Sequence, residues 1–257
     1  MQFTTAEITA WVGSFLWPFI RIGAMLIAAP LFGAGAVTVR IRLAFALLLA
    51  LLVAPLIPTP PAVEPLSLNG LMIAIQQVMI GLVLGFAIQM VFSALNQAGE
   101  NIARAMGLGF ASMVDPQQGV QVPALSSYLV MMTTLMFVAL NGHIALIELT
   151  LVSFHTLPIA ADGLTREDFW NLVNWGSVMY MYALLVALPA VTSLLVVSIA
   201  LGVISRAAPQ LNIFAVGFPV KILLGFILLI PTLPVLLAQF IDLLMEAFEL
   251  MNQITQQ

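Results

Sequence analysis

Cysteine is absent from the 257 residues, which rules out a disulfide framework and any thiolate metal site. Charge is nearly as scarce. Asp, Glu, Lys and Arg together make 7% of the chain, against roughly 25% in an ordinary soluble domain. Seven Lys and Arg against eleven Asp and Glu, net −4, leave no basic footprint for nucleic acid. No Lys or Arg precedes Arg21, so the basic n-region of a signal peptide is missing and the first apolar segment reads as part of the mature chain. The only histidines are His143 and His155, with Glu148 the only acid close to them, too little for a metal site. No strand, Gly-rich loop and Lys follow one another as a phosphate cradle does. Ser126, Ser127, Ser193, Ser198 and Ser205 have no histidine base at a recognisable spacing. The expectation is a chain with no cofactor, no metal and no catalysis.

What is present is apolar. Hydrophobic residues make 62% of the chain, and so few charges cannot cover the surface of a soluble fold this size. In hydrocarbon every backbone N–H and C=O needs an internal partner, so only helices and closed barrels remain. Barrel strands alternate apolar and polar residues; the run from Leu43 to Ile57 is continuously apolar. The fold class is therefore all-α, an integral membrane type built of apolar helical hairpins. Six apolar blocks stand out, Ile8–Leu31, Leu43–Ile57, Leu71–Leu95, Ala124–Leu157, Gly176–Ile204 and Ile213–Phe240. A span needs about 20 residues, so the second block is short, with Arg40 and Arg42 at its entrance placed to snorkel. The fourth is too long for one span, and Asn141-Gly142-His143 predicts a break inside it. Pro231 and Pro234 predict a kink or a division in the sixth.

Five prolines between Pro55 and Pro65 predict a stiff, extended connector. Thr165 followed by Glu167 and Asp168 predicts a helix start, with carboxylates at the positive end of the dipole. Gly81 and Gly85 form a small-xxx-small face for close helix approach. After the last block, Ile241, Leu244, Met245, Phe248 and Met251 recur at helical spacing opposite Asp242, Glu246 and Glu249, an amphipathic tail that either docks on a partner or is a solvated helix end.

Residues 96–123 form the longest interruption of the apolar pattern, yet their centre is apolar: Met106, Gly107, Leu108, Gly109, Phe110, Ala111, Ser112, Met113 and Val114, before Asp115-Pro116. Gly107 and Gly109 allow positive φ and close backbone approach, and Asp-Pro favours a turn. A water-exposed loop has no use for Leu108, Phe110 and Met113. Two readings fit: a flexible apolar plug lining a conduit, or a re-entrant turn packed between helices. Arg21 falls within the first block and must face protein, a cavity or a partner. Glu100 and Arg104 stand four apart in the favourable acid-first order for a helical pair. Glu148, inside the fourth block, is expected to be protonated or paired, with His143 or another chain as partner. A secondary transporter using Arg21, Glu148 and His143 is the alternative from another class, but the two halves show no internal repeat of the kind transporters carry.

Three stretches together carry a family resemblance. Residues 104–116, Arg-Ala-Met-Gly-Leu-Gly-Phe-Ala-Ser-Met-Val-Asp-Pro, are similar to the Gly-Phe-Ala-x-x-x-Asp-Pro signature of the FliR family, whose injectisome counterparts are called SctT. Asn141-Gly142-His143 with Ser153-Phe154 and Pro158 resembles a second segment of that family. Residues 202–221 combine Arg-x-x-Pro-Gln-x-Asn-x-Phe with Gly-x-Pro-x-Lys, the most specific block. Arg21, Pro30 and the Arg40/Arg42 pair also fit. The resemblance covers nearly the whole chain and implies a single export-gate domain over residues 1–257, a FliP-like part fused to a FliQ-like part. It implies a non-catalytic subunit of the flagellar type III export gate at the basal body in the bacterial inner membrane. The implied partners are FliP, FliQ and FlhB, membrane lipid, and unfolded flagellar subunits as cargo. The implied plug loop covers about residues 106–122 and takes Met106, Gly107, Leu108, Gly109, Phe110, Ala111, Ser112, Met113, Val114, Asp115 and Pro116 as its plug residues. Arg21, Glu100, Arg104, Glu148, Arg206 and Lys221 are expected to serve as structural charges or subunit contacts.

Overall fold

A computed structural model describes residues 5–33, 37–108, 124–208 and 213–255, with side chains described from residue 9 and, in the last helix, from residue 216. Among the described residues all regular structure is helical: α1 (Thr5–Ala28), α2 (Pro30–Gly33), α3 (Val39–Val53), α4 (Leu68–Met106), α5 (Ala124–Ala139), α6 (Gly142–Thr156), α7 (Arg166–Ala207) and α8 (Ile213–Thr255). The all-α expectation holds. Two compact units divide the chain. One comprises Met1–Met90, Phe137–Trp175 and Met245–Gln257; the other comprises Val91–Met136 and Gly176–Leu244.

Four helices are long and apolar enough to cross a membrane, and the bent pair α5–α6 makes a fifth if it counts as one span. Six blocks thus reduce to four or five crossings among the described residues. The difference lies in the second block: α3 has 15 residues, about 22 Å of helix, short of a hydrocarbon core of about 30 Å. The break predicted in the fourth block falls where expected. Asn141 takes the left-handed conformation at φ 57°, which Asn tolerates better than most residues. The next residue, Gly142, lies under the Phe137 ring, where a Cβ has no room.

Helix ends follow the local chemistry. The proline-rich connector between α3 and α4 carries no helix, and the chain re-enters through Ser67, whose Oγ accepts from the Gly70 N–H at 3.1 Å. Thr165 opens α7 as predicted. Asp168 Oδ2 accepts from the Thr165 N–H and hydroxyl, both at 2.7 Å, and the Asp168 N–H returns to Thr165 Oγ1 at 3.4 Å, a reciprocal capping box. In α8, Pro219, Pro231 and Pro234 lie inside one continuous 43-residue helix, so the prolines do not divide it. Its final turns dock: Ala247, Leu250, Met251 and Ile254 are buried in the first unit. Met245, placed on that stripe from its spacing, is instead exposed, because the buried stripe runs one residue out of step.

Within the first unit, α1 and α4 cross at the glycine pair. A Cβ on Gly81 would strike the Arg21 carbonyl oxygen, and one on Gly85 would stand 2.6 Å from Ala28 Cβ and from Met25 O. Small residues at 81 and 85 against Ala24 and Ala28 let the two backbones touch, as packing in an apolar medium requires. α3 lies against α1 by Ala46, Ala50 and Val53, with Phe45 and Leu49 half-buried at the edges of that face, and exposes its opposite side.

Candidate functional site

Arg21 is completely buried in the first unit. Its Nε donates to Gln77 Oε1 at 2.8 Å, one terminal nitrogen to Ser153 O at 2.7 Å and Ser153 Oγ at 3.0 Å, and the other to Leu157 O at 2.8 Å. Its Cζ stands 4.2 Å from the Phe154 ring centroid. No carboxylate is among these partners. The negative end of α6 takes its place, since Ser153 O and Leu157 O belong to the last turn and C-cap of that helix, where a cation is favoured. The planar fork of a guanidinium suits four acceptors on three residues in different directions. Arg21 thereby ties α1 to α4 through Gln77 and to α6 through its last turn.

Gln77 is four residues before Gly81 and eight before Gly85, on the same stripe of α4. A single buried polar residue continuing a small-residue stripe is the signal that could have identified it as the partner of Arg21. Ser153-Phe154 belong to the second family-like segment of the sequence, with no site role assigned there; both touch the guanidinium.

Glu148 does not pair with His143, the first of its two expected partners. α6 buries Gly142, Leu146, Thr150, Ser153 and Phe154, and Glu148 is exposed on the other side. A separation of five residues turns His143 to a different face of a 3.6-residue helix, and no ion pair joins them. His143 itself is half-buried with Nδ1 unbonded. It stands ten residues from Ser153, roughly 15 Å along α6, so Arg21, Glu148 and His143 do not converge on one substrate site.

The second unit holds the described part of the loop region. Glu100 and Arg104 form the expected pair at 3.4 Å, on a side-chain surface 32% and 59% exposed. Exposed pairs of this kind contribute about 0–1 kcal/mol. Arg104 also donates to Asn101 Oδ1 at 3.1 Å. Beyond them α4 ends at Met106, which is fully buried. Gly107 has φ 85°, a conformation that favours glycine. A Cβ there would stand 2.8 Å from Phe218 Cε1, and a Cβ on Gly225 would stand 2.5 Å from Met106 Cγ. The end of α4 is thus seated on α8 at Phe218 and Gly225. The described start of the 104–116 stretch meets Phe218, near the end of the 202–221 stretch.

Leu108, Ala124 and Leu125 line an apolar cavity of about 500 Å³ with Tyr128 and four α8 side chains, among them Phe226 and Leu229. Gly109, Phe110, Ala111, Ser112, Met113, Val114, Asp115 and Pro116, with the rest of the expected plug through Val122, lie outside the described residues. Arg206 is exposed in the last turn of α7, at the favourable end of that helix's dipole. Lys221 is half-buried in α8. Neither belongs to an ion pair among the described residues.

The model of the family described as bacterial export proteins, family 1, matches residues 12–247. The Flagellar biosynthetic protein FliR of Escherichia coli (strain K12) is 37% identical over 255 residues, covering 99% of this chain and 97% of the relative. That of Pectobacterium carotovorum subsp. carotovorum is 37% identical over 259 residues, covering 100% and 98%. That of Bacillus subtilis (strain 168) is 34% identical over 226 residues, covering 87% of each. By the family match and by these full-length likenesses, the chain belongs to the bacterial export proteins of family 1, beside the flagellar biosynthetic FliR proteins.

Proposed function

We propose that this flagellar export protein is a non-catalytic subunit of the type III export gate in the bacterial inner membrane, and that residues 106–122 form an apolar plug in the channel for unfolded flagellar proteins. The observation that carries the reading is the anchoring of the loop base. Met106 is seated on Gly225 and Gly107 under Phe218, so the apolar stretch that follows starts from a fixed point on a long apolar helix. An apolar loop with fixed roots can seal against ions and still yield to a passing chain. FliP, FliQ and FlhB are the partners of this reading. They would cover apolar faces that the chain itself leaves open, for the most apolar windows of α7 and α8 are only 22% and 17% buried. Arg206 and Lys221 serve as subunit contacts near residues 209–212.

Copurification of FliP and FliQ with and without this chain tests membership of the gate; a chain stable and active as a transporter on its own refutes it. Deleting residues 107–114 should leave assembly intact and make cells leaky to ions, whereas normal membrane tightness counts against the plug. Reversing the charges of Arg206 and Lys221 should lower the yield of the complex. Unchanged yield with lost export would place them on the cargo's path instead.

A further inference from the structure

We propose that the outer face of α3 docks anionic phospholipid of the surrounding bilayer, with Arg40 and Arg42 holding the headgroup phosphate and the helix flank holding the acyl chain. α3 is too short to span, and its first turns carry two guanidinium groups at the positive end of the helix dipole, where cations are disfavoured. Nothing in the described chain compensates them. Arg40 is exposed and makes no ion pair. Arg42 is half-buried; it donates only to Val37 O, at 3.3 Å, and its buried Nε has no partner. Between Glu7 and Glu64 the sequence contains no acidic residue.

On the side of Arg40, away from Ala46, Ala50 and Val53, Ile41, Leu43, Leu47, Leu48, Leu51 and Leu52 are exposed at helical spacing, while Arg42 starts from the edge of the packed side. Uncompensated positive charge at one end of a continuous apolar flank about 22 Å long has the complementarity of one lipid molecule: phosphate at the end, hydrocarbon along the side. α7 and α8 also expose apolar faces, but each is far longer than a bilayer leaflet and neither opens on a pair of arginines. Basic residues at a membrane surface attract anionic lipid individually, and two of them enrich it on the order of tenfold.

The chain has no cysteine, so a single label can be placed cleanly. The full chain carrying Leu43→Cys, labelled with a bilayer-quenchable fluorophore, is reconstituted in nanodiscs of phosphatidylcholine and phosphatidylglycerol in equal parts. Bromine tails are placed on one lipid or the other. Brominated phosphatidylglycerol should quench several-fold more than brominated phosphatidylcholine, and free inorganic phosphate should not reduce the difference. R40Q/R42Q should abolish the preference and R40K/R42K keep it; Val196→Cys, labelled on α7, should show none. Equal quenching by both lipids, a preference that survives R40Q/R42Q, or displacement by free phosphate overturns the proposal. Absence of quenching by either lipid overturns it as well, because protein then covers this face.

Discussion

Replacing Arg21 by Met removes four donated hydrogen bonds and leaves their acceptors buried, or half-buried at Leu157. Not all of them suffer equally. Ser153 O still accepts from the Leu157 N–H at 2.9 Å, and the Ser153 hydroxyl still donates to Thr150 O at 2.6 Å. Gln77 Oε1 and Leu157 O are left with no donor. Two orphaned acceptors at about 1–3 kcal/mol each, with a lost cation at a helix C-terminus adding up to about 2, give a loss of about 2–8 kcal/mol. In a protein this size that corresponds to a melting temperature lower by roughly five degrees or more. Arg21→Lys keeps the charge but offers one compact ammonium, which cannot reach Gln77 and Leu157 together; it should recover about half of the loss. Adding Gln77→Leu to Arg21→Met should also recover part. It deletes the orphaned oxygen together with Gln77 Nε2, which has no partner even in the parent. The assay is thermal unfolding of the full chain in mild detergent, followed by size exclusion and tryptophan fluorescence. Arg21→Met melting with the parent, or Arg21→Lys equal to it, would show that the cluster adds nothing net, as buried ionic groups sometimes do.

Gly81→Leu should force α1 and α4 apart and lower stability by about 1–3 kcal/mol, because its Cβ meets the Arg21 carbonyl; Gly23→Leu, with nothing within 4 Å, should melt like the parent. Gly107→Ala should cost about 1–3 kcal/mol for its positive φ and weaken swarming motility, and Phe218→Ala in that background should relieve only the steric part. Glu100→Gln should shift stability by less than about 1 kcal/mol, a larger loss in the melting assay contradicting a simple surface pair. Val196→Cys on exposed α7 should react with a lipid-soluble maleimide in the isolated chain and be protected on coexpression with FliP and FliQ, unchanged labelling counting against a subunit-covered face.

The features legible in the sequence are those set by neighbouring residues. Asn141-Gly142 placed the α5–α6 break because one residue tolerates positive φ and the next leaves room for Phe137. Thr165 and Asp168 placed the start of α7 because a capping box is complete within four residues. Gly81 and Gly85 announced a close crossing, though the opposing helix could not be read. What escaped depends on contacts far apart in the chain. Arg21 reaches residues 132 and 136 positions away, and no spacing rule finds a helix C-terminus serving as counter-charge. The pairing of Glu148 with His143 fails because five residues turn the two side chains to different faces of α6. α6 is buried along one stripe only, and its other side tolerates a carboxylate. Pro231 and Pro234 carry a real isolated cost, but α8 runs through both without dividing.

The long helices also separate lipid cover from protein cover. In α4 the most apolar window is 67% buried by the chain itself, against 22% in α7 and 17% in α8. The apolar part of α7, residues 178–204, is about 40 Å long, roughly 10 Å more than the hydrocarbon core. Lying wholly within lipid would demand a tilt of about 40°, the extreme of the range transmembrane helices adopt. Held upright, the same helix would leave nearly two turns of exposed Leu, Ile and Val in water. Cover by neighbouring apolar helices removes both costs, because a subunit can be as long as the helix it packs against. The open faces of α7 and α8 therefore fit an assembly interior better than a lipid boundary, whereas short α3 with its two arginines fits the lipid boundary itself.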